Sequence, residues 1–132
     1  MRHIALYLGV GALFSHELDA MTNHEWRVLP LIRLLPDELG RDVFVLAHIP
    51  LFAVVVALFA STDAQLRRRA NIGVAGFLVL HGVLHSFYVD HPAYEFSSSL
   101  SNFLIFGGAI CGGLYIALEM LGYRSNGSQA DK

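Results

Sequence analysis

Hydrophobic and polar positions are arranged along this chain in long blocks rather than in an alternating pattern. Three blocks contain no Asp, Glu, Lys or Arg, and they cover residues 43–62, 70–89 and 96–118. About 20 apolar residues cross the hydrocarbon core of a bilayer, roughly 30 Å thick, when they form a helix. The pattern therefore predicts three transmembrane helices.

A fourth apolar block begins near the N-terminus and ends among polar residues. Its charge-free part is too short to cross a bilayer. A block that is long enough to cross, residues 3–22, must include Glu17 and Asp19. Acidic side chains are costly in lipid unless they face the interior of a bundle or water. A secretory signal peptide is the alternative, but the small residues of a cleavage site do not follow the apolar block. We therefore predict a fourth span at residues 3–22.

These elements predict an all-α, up-and-down four-helix transmembrane bundle, built as a single membrane domain over residues 1–124. The stretch between the first and second spans interleaves apolar residues with arginines, a composition typical of a segment lying in the membrane interface. The polar residues 125–132 are predicted to form a disordered cytoplasmic tail. Gly108 and Gly112 form a GxxxG pair, which lets helix backbones approach closely. We interpret this pair as packing within the bundle.

Composition agrees with a membrane location. Hydrophobic residues make up 55% of the chain and charged residues 15%, whereas soluble domains carry about 25% charged residues. The net charge of −2 and the lack of a basic stripe exclude a nucleic-acid surface. The lipid bilayer is the partner that we expect. The single cysteine, Cys111, excludes an internal disulfide and a multi-cysteine zinc site.

The distribution of lysine and arginine predicts the orientation of the bundle. Six of these residues lie in the N-terminus, the second loop and the tail, against three in the first and third loops. Because cytoplasmic loops carry the excess of positive charge, both termini are predicted to be cytoplasmic.

Histidines and acidic residues are predicted to meet at one end of the bundle. In an up-and-down bundle the ends of spans one and three lie beside the starts of spans two and four. His16 and Glu17 lie near the end of the first span, and His48 lies near the start of the second. His81 and His85 are four residues apart near the end of the third span, so they share a helix face. Secondary candidates at similar depth are Asp19, Tyr88 and Asn102.

Our leading interpretation of this cluster is a divalent metal site. His81 and His85 would bind one ion together with His16 or His48, and Glu17 or Asp19 would supply oxygen. Nitrogen and oxygen ligands without thiolate suit Zn²⁺ or non-haem Fe²⁺. A metal-dependent hydrolase acting on a lipid or a small molecule would then use Glu17 to take a proton from water.

Two alternatives stay open at this stage. One is a haem held by His48 with His81 or His85, in a haem- or quinone-linked electron carrier. The other is a non-catalytic membrane protein whose polar residues form a closed hydrogen-bond network between helices.

The segment at residues 24–27, His-Glu-Trp-Arg, has two interpretations. Trp26 is typical of an anchor in the membrane interface, which is the reading that we favour. The alternative is that this segment covers the polar site from the outer side.

Three motifs resemble a family of small bacterial four-helix integral membrane proteins of unknown function. They are Ser-His-Glu-Leu-Asp-Ala at residues 15–20, His-Glu-Trp-Arg at residues 24–27, and His81-x-x-x-His85. The resemblance implies a bacterial inner-membrane location and no particular activity. The His-x-x-x-His pair also resembles that of zinc-binding membrane hydrolases of the alkaline ceramidase type, which have seven spans.

Overall fold

Four α-helices run in alternating directions along the chain. The structure, a computed structural model, describes the backbone of residues 2–130 and the side chains of residues 2–122. The helices are α1 (Arg2–Thr22), α2 (Asp37–Phe59), α3 (Ala64–Tyr88) and α4 (Ser99–Ala130), and no strand occurs within the described residues. The prediction of an all-α, up-and-down bundle is therefore confirmed. The disordered tail predicted at residues 125–132 lies outside the residues described with their side chains and stays a prediction.

Local sequence signals explain where three of the helices begin. The carboxylate of Asp63 accepts hydrogen bonds from two backbone amides in the first turn of α3. Ser98 likewise accepts from a backbone amide in the first turn of α4. Pro36 precedes α2, whose first turn carries Asp37 and Glu38 at the positive end of the helix dipole.

Two of the helices, α2 and α3, begin before the charge-free blocks that predicted them. α2 begins at Asp37 rather than at residue 43, and α3 begins at Ala64 rather than at residue 70. Their first turns carry charged residues, and a helix needs only backbone hydrogen bonds to continue past the edge of the hydrocarbon core. A charge-free block therefore predicts which residues lie in apolar surroundings, and it does not predict where the helix begins or ends.

The fourth helix is the centre of the bundle. α1 and α3 both pack along the length of α4, and they contact each other much less. α2 is peripheral, since Gly40 and Phe44 are its only buried residues. Three helices, α2, α3 and α4, are long and apolar enough to span a membrane. α1 has 21 residues, but its acidic residues leave it outside that set.

The bundle has two differently built ends. We call the end where α1 and α3 terminate the histidine end, and the opposite end the arginine end. At the histidine end, the loop between α1 and α2 contributes to a core formed by Ala20, Trp26, Phe44, Phe96 and Ile105. At the arginine end, the core is formed by Leu6, Ala75 and Tyr115.

Glycines of α4 allow close contact with its two neighbours. A Cβ atom placed on Gly112 would lie 2.5 Å from the backbone oxygen of Ala75 in α3, which is closer than any real Cβ contact. A Cβ atom placed on Gly108 would meet α1 at 3.7 Å from Cβ of Ala12, an ordinary van der Waals distance. The GxxxG pair thus packs within the chain, and Gly112 is the more restrictive of the two positions.

We expect Gly112→Ala to lower the free energy of unfolding by about 1–3 kcal/mol, which is the usual cost of overpacking. The added methyl group would push α3 away from α4. Gly113→Ala is the matched control, because its Cβ would meet only Val79, at 3.9 Å. Thermal unfolding in detergent measures both variants. Equal melting temperatures for Gly112→Ala and the natural sequence would contradict the close contact between α3 and α4.

Candidate metal centre

Three histidines face one another at the histidine end. His16 comes from the last two turns of α1, and His81 and His85 come from the last two turns of α3. One nitrogen of each ring lies within 4.8 Å of the other two. The ring centroids are 4.6 to 5.0 Å apart. The structure therefore brings together three of the four histidines that the sequence predicts as metal ligands.

Three nitrogen atoms of this histidine cluster, two of His16 and one of His81, make no hydrogen bond within the described residues. His16 is completely buried, and the contact of its Nε2 atom is an ion pair with Glu25. Nε2 of His81 is buried and has no partner within the described residues. Leaving a buried polar atom without a partner costs about 1–3 kcal/mol. A cation bound between the rings would remove this cost.

A carboxylate from the loop faces the same cluster. Glu25 lies in the short 3-10 helix Glu25–Arg27 and is buried. Its Oε2 atom is 3.3 Å from Nε2 of His16, and its Oε1 atom is 3.8 Å from Nε2 of His85. Oε2 makes no hydrogen bond within the described part of the chain. Imidazole nitrogens and a carboxylate oxygen thus converge, and this donor set suits Zn²⁺ or Fe²⁺.

Ion pairs hold the loop between α1 and α2 over the cluster. One carboxylate, that of Asp37, accepts hydrogen bonds from Nε1 of Trp26 at 2.9 Å and from two nitrogens of Arg27 at 2.8 Å. Glu95, in the loop between α3 and α4, lies 2.9 Å from Nδ1 of His24. The hydrogen bond to Asp37 raises the pKa of the Arg27 guanidinium. The loop is therefore anchored both to α2 and to the opposite loop.

The segment at residues 24–27 closes the end of the bundle. Trp26 is 4% exposed and packs against Phe44, which argues against our interpretation of Trp26 as an anchor in the membrane interface. The loop instead turns Leu31 and Leu34 outward, and these residues are 79% and 77% exposed. The exposed apolar surface of the loop includes these leucines, while residues 24–27 cover the histidines.

The His85 ring is oriented by residues of the loop between α3 and α4. Its Nδ1 atom lies 3.1 Å from the hydroxyl oxygen of Tyr94. Burial raises the pKa of the Tyr94 phenol, which therefore stays protonated at neutral pH. The ring of Phe96 packs against the rings of His16 and His85, with centroids 5.2 and 4.9 Å apart. Partners of this kind fix the orientation of a metal-binding imidazole and leave its other nitrogen free.

His48 is paired with Glu17 and does not join the three clustered histidines. Nε2 of His48 lies 2.9 Å from Oε2 of Glu17, and its Nδ1 lies 2.7 Å from the backbone oxygen of Phe44. A carbonyl oxygen only accepts hydrogen bonds, so Nδ1 carries a hydrogen. The short contact between Nε2 and the carboxylate then requires one further proton, on either group. The pair therefore shares one hydrogen between Nε2 and Oε2.

The secondary candidates lie outside the three-histidine group. Asn102 is exposed, and its side-chain amide donates to the backbone oxygen of Ser98. Tyr88 packs against the ring of His91, with centroids 6.2 Å apart. Asp19 is one helical turn beyond His16, and its buried Oδ2 atom has no partner among residues 2–122.

A comparison with known protein families gives one match. A family of unknown function, DUF6713, covers residues 2–121. The chain belongs to this family. The DUF6713 match includes α1, α2 and α3 completely and most of α4, and it confirms the resemblance to a family without an assigned activity. No curated protein and no solved structure matches the chain.

Sequence reasoning missed Glu25 as a member of the site. The side chain faces inward because the backbone of His24 adopts a left-handed conformation, with φ 50°, immediately before the 3-10 helix. A single irregular residue of this kind leaves no periodic signal in the sequence. The only indication of such a role was the position of residues 24–27, which follow the first span and therefore lie at the same end of the bundle as the predicted polar cluster.

We expect Asp37→Ala to release the loop that carries Glu25. The substitution removes the acceptor for both Trp26 and Arg27, and hydrogen bonds to charged groups contribute about 1.5–3 kcal/mol. Backbone amides at residues 24–36 should then exchange hydrogen at least about tenfold faster.

Asp42→Ala is the matched control for this exchange measurement. Asp42 pairs only with its exposed neighbour Arg41 among the contacts described. If both variants exchange at the natural rate over residues 24–36, Asp37 does not hold the loop in place.

Proposed function

We propose that this protein is an integral membrane metalloprotein in which His16, His81 and His85 bind one Zn²⁺ or Fe²⁺ ion. Glu25 supplies an oxygen to the same ion. One observation carries the proposal: Nδ1 of His16 and Nε2 of His81 are buried with neither a hydrogen bond nor an ion pair among the described residues, beside the ion-pair contact of Glu25 with Nε2 of His16. A purely structural network would instead pair these atoms, because buried polar groups are hydrogen-bonded in folded proteins.

The same geometry argues against His48 as a ligand to haem iron. Both nitrogens of this ring already have partners, in Glu17 and in the backbone oxygen of Phe44. The rings of His81 and His85 are in contact with each other and with His16. This arrangement favours a single small ion over a porphyrin.

We further propose metal-dependent hydrolysis as the activity. A bound divalent ion polarises a carbonyl oxygen and lowers the pKa of a coordinated water. His16, His81 and His85, with Glu25 as oxygen donor, would hold the ion, which would supply a Lewis acid and an activated water there. Glu17 follows His16 in the chain and pairs with His48, whose Nε2 atom lies 2.9 Å from its Oε2 atom. Its role in this mechanism is to accept the proton lost by water.

An apolar cavity beside the histidines supports a lipid-like substrate. The cavity, of about 210 Å³, lies between α1, α2 and α3 and is lined in part by Phe14, Phe52 and Phe77. The ring of Phe52 is 5.3 Å from that of His48, and the ring of Phe77 is 5.7 Å from that of His81. A substrate with its apolar tail in this cavity would present its polar head to the metal site.

The proposed location is the bacterial inner membrane, with both termini cytoplasmic and the histidine end at the outer face. The three apolar helices support membrane insertion. The excess of lysine and arginine at the arginine end supports the orientation.

We expect the full chain, purified in detergent, to contain about one equivalent of zinc or iron, measured by elemental analysis. His81→Ala should remove most of this metal, because the helical pair His81 and His85 holds the ion with both rings. His91→Ala is the matched control. Its ring lies in an exposed loop beside Arg33, outside the cluster.

Two results would overturn the metal site. One is natural-sequence protein that stays free of stoichiometric metal after incubation with Zn²⁺ or Fe²⁺. The other is equal metal content in His81→Ala and His91→Ala. In either case the histidines would serve only to hold helices together.

Glu17→Gln tests the proton acceptor, because glutamine keeps the size of the side chain and cannot take up a proton. We expect this variant to retain its metal while hydrolysis of p-nitrophenyl palmitate falls by about 10²–10⁴-fold. Glu38→Gln, an exposed carboxylate near the same end, is the control. Unchanged turnover in Glu17→Gln would refute the role of Glu17. A metal-loaded natural protein that leaves this ester intact would refute hydrolysis of such esters and leave the metal site standing.

A further inference from the structure

A second polar site lies at the arginine end of the bundle. Glu119 of α4 is 7% exposed and sits between arginines from two other helices. Its Oε2 atom is 3.0 Å from Nη1 of Arg2 in α1, and its Oε1 atom is 2.6 Å from Nε of Arg68 in α3. These two ion pairs join the ends of three helices around one carboxylate.

This site carries more positive than negative charge. A pocket of about 230 Å³ is lined by Arg2, Arg67, Arg68 and Glu119, together with His3, Asn71 and Tyr115. Among the described residues that line this pocket, three arginines therefore face a single carboxylate. The nearby Asp63 caps α3 by accepting hydrogen bonds from backbone amides, and it is not part of the pocket lining. The pocket is thus suited to a further anion.

An apolar groove adjoins the pocket. It has a volume of about 740 Å³, runs between α3 and α4, and shares Arg68 and Glu119 with the pocket. Its remaining lining is apolar and consists of Ile72, Ile116, Ala117, Met120 and Leu121. A ligand that fills both spaces needs an anionic head and a long apolar chain.

We infer that the arginine end binds an anionic phospholipid. Its phosphodiester lies in the pocket against Arg2, Arg67 and Arg68, and one acyl chain lies in the groove. Basic pockets between transmembrane helices bind anionic lipid headgroups in this way, on the side where the membrane surface is negative. Free phosphate would fill only the pocket. The inference is independent of the proposed metal site, which lies at the other end of the bundle.

Native mass spectrometry of the full chain in mild detergent tests the inference. Phosphatidylglycerol and phosphatidylcholine with identical acyl chains are titrated against the protein, and phosphatidylglycerol should bind at least about fivefold more tightly. Arg67→Gln should weaken its binding about fivefold, which corresponds to one arginine near an anionic surface. Arg67 donates a hydrogen bond to the backbone oxygen of Ser61 and has no ion pair to Glu119 among the contacts described, so this substitution spares the pairs that join the helices.

Arg69→Gln is the matched control for charge. Arg69 lies two residues further along α3, is exposed like Arg67, and does not line the pocket. Equal weakening by Arg67→Gln and Arg69→Gln would mean that general surface charge, and not the pocket, attracts the lipid, and would overturn the inference. Equal affinities for the two lipids would overturn it as well.

A second variant tests the groove without changing charge. Ala117→Phe should obstruct the groove and weaken phosphatidylglycerol binding, whereas Ala57→Phe, on the exposed face of α2, should leave it unchanged. Millimolar inorganic phosphate should fail to displace the lipid, because phosphate has no chain to occupy the groove. Full displacement by phosphate, together with no effect of Ala117→Phe, would show a simple anion pocket and overturn the lipid assignment.

Discussion

Polar atoms that are buried in an apolar bundle must find partners, and this constraint shapes both ends of the molecule. At the arginine end it is met within the chain, where Glu119 is paired with Arg2 and Arg68. At the histidine end it is not met, because Nδ1 of His16 and Nε2 of His81 have neither a hydrogen bond nor an ion pair among the described residues. The chain thus pairs the buried carboxylate at one end and leaves buried nitrogens unpaired at the other.

The incomplete site combines rigid and less regular elements. Two helices supply the histidines, and their positions are fixed by packing along α4. The carboxylate of Glu25 comes instead from a short loop, whose position depends on polar contacts of Asp37 and Glu95 with neighbouring residues. This division places the three clustered histidines on helices and the carboxylate on a loop that polar contacts hold in place.

Sequence reasoning predicted much of the fold and part of the site. Charge-free blocks and the alternation of spans were sufficient to bring His16 together with His81 and His85, because depth and helix direction follow from residue counts. Side-chain partners between helices were harder to assign. His48 lies at the predicted end of the bundle, yet it bonds to Glu17. Glu25 was not predicted as a ligand, since its direction depends on the backbone of His24 and not on a helical period.

The central position of α4 has a consequence for biosynthesis. All three clustered histidines belong to α1 and α3, but these helices contact each other little and are held together mainly by α4. A nascent chain therefore contains every histidine of the site before it contains the helix that aligns them. The three histidines therefore come to face one another only after α4 is in place, so that the geometry of the cluster depends on completion of the chain.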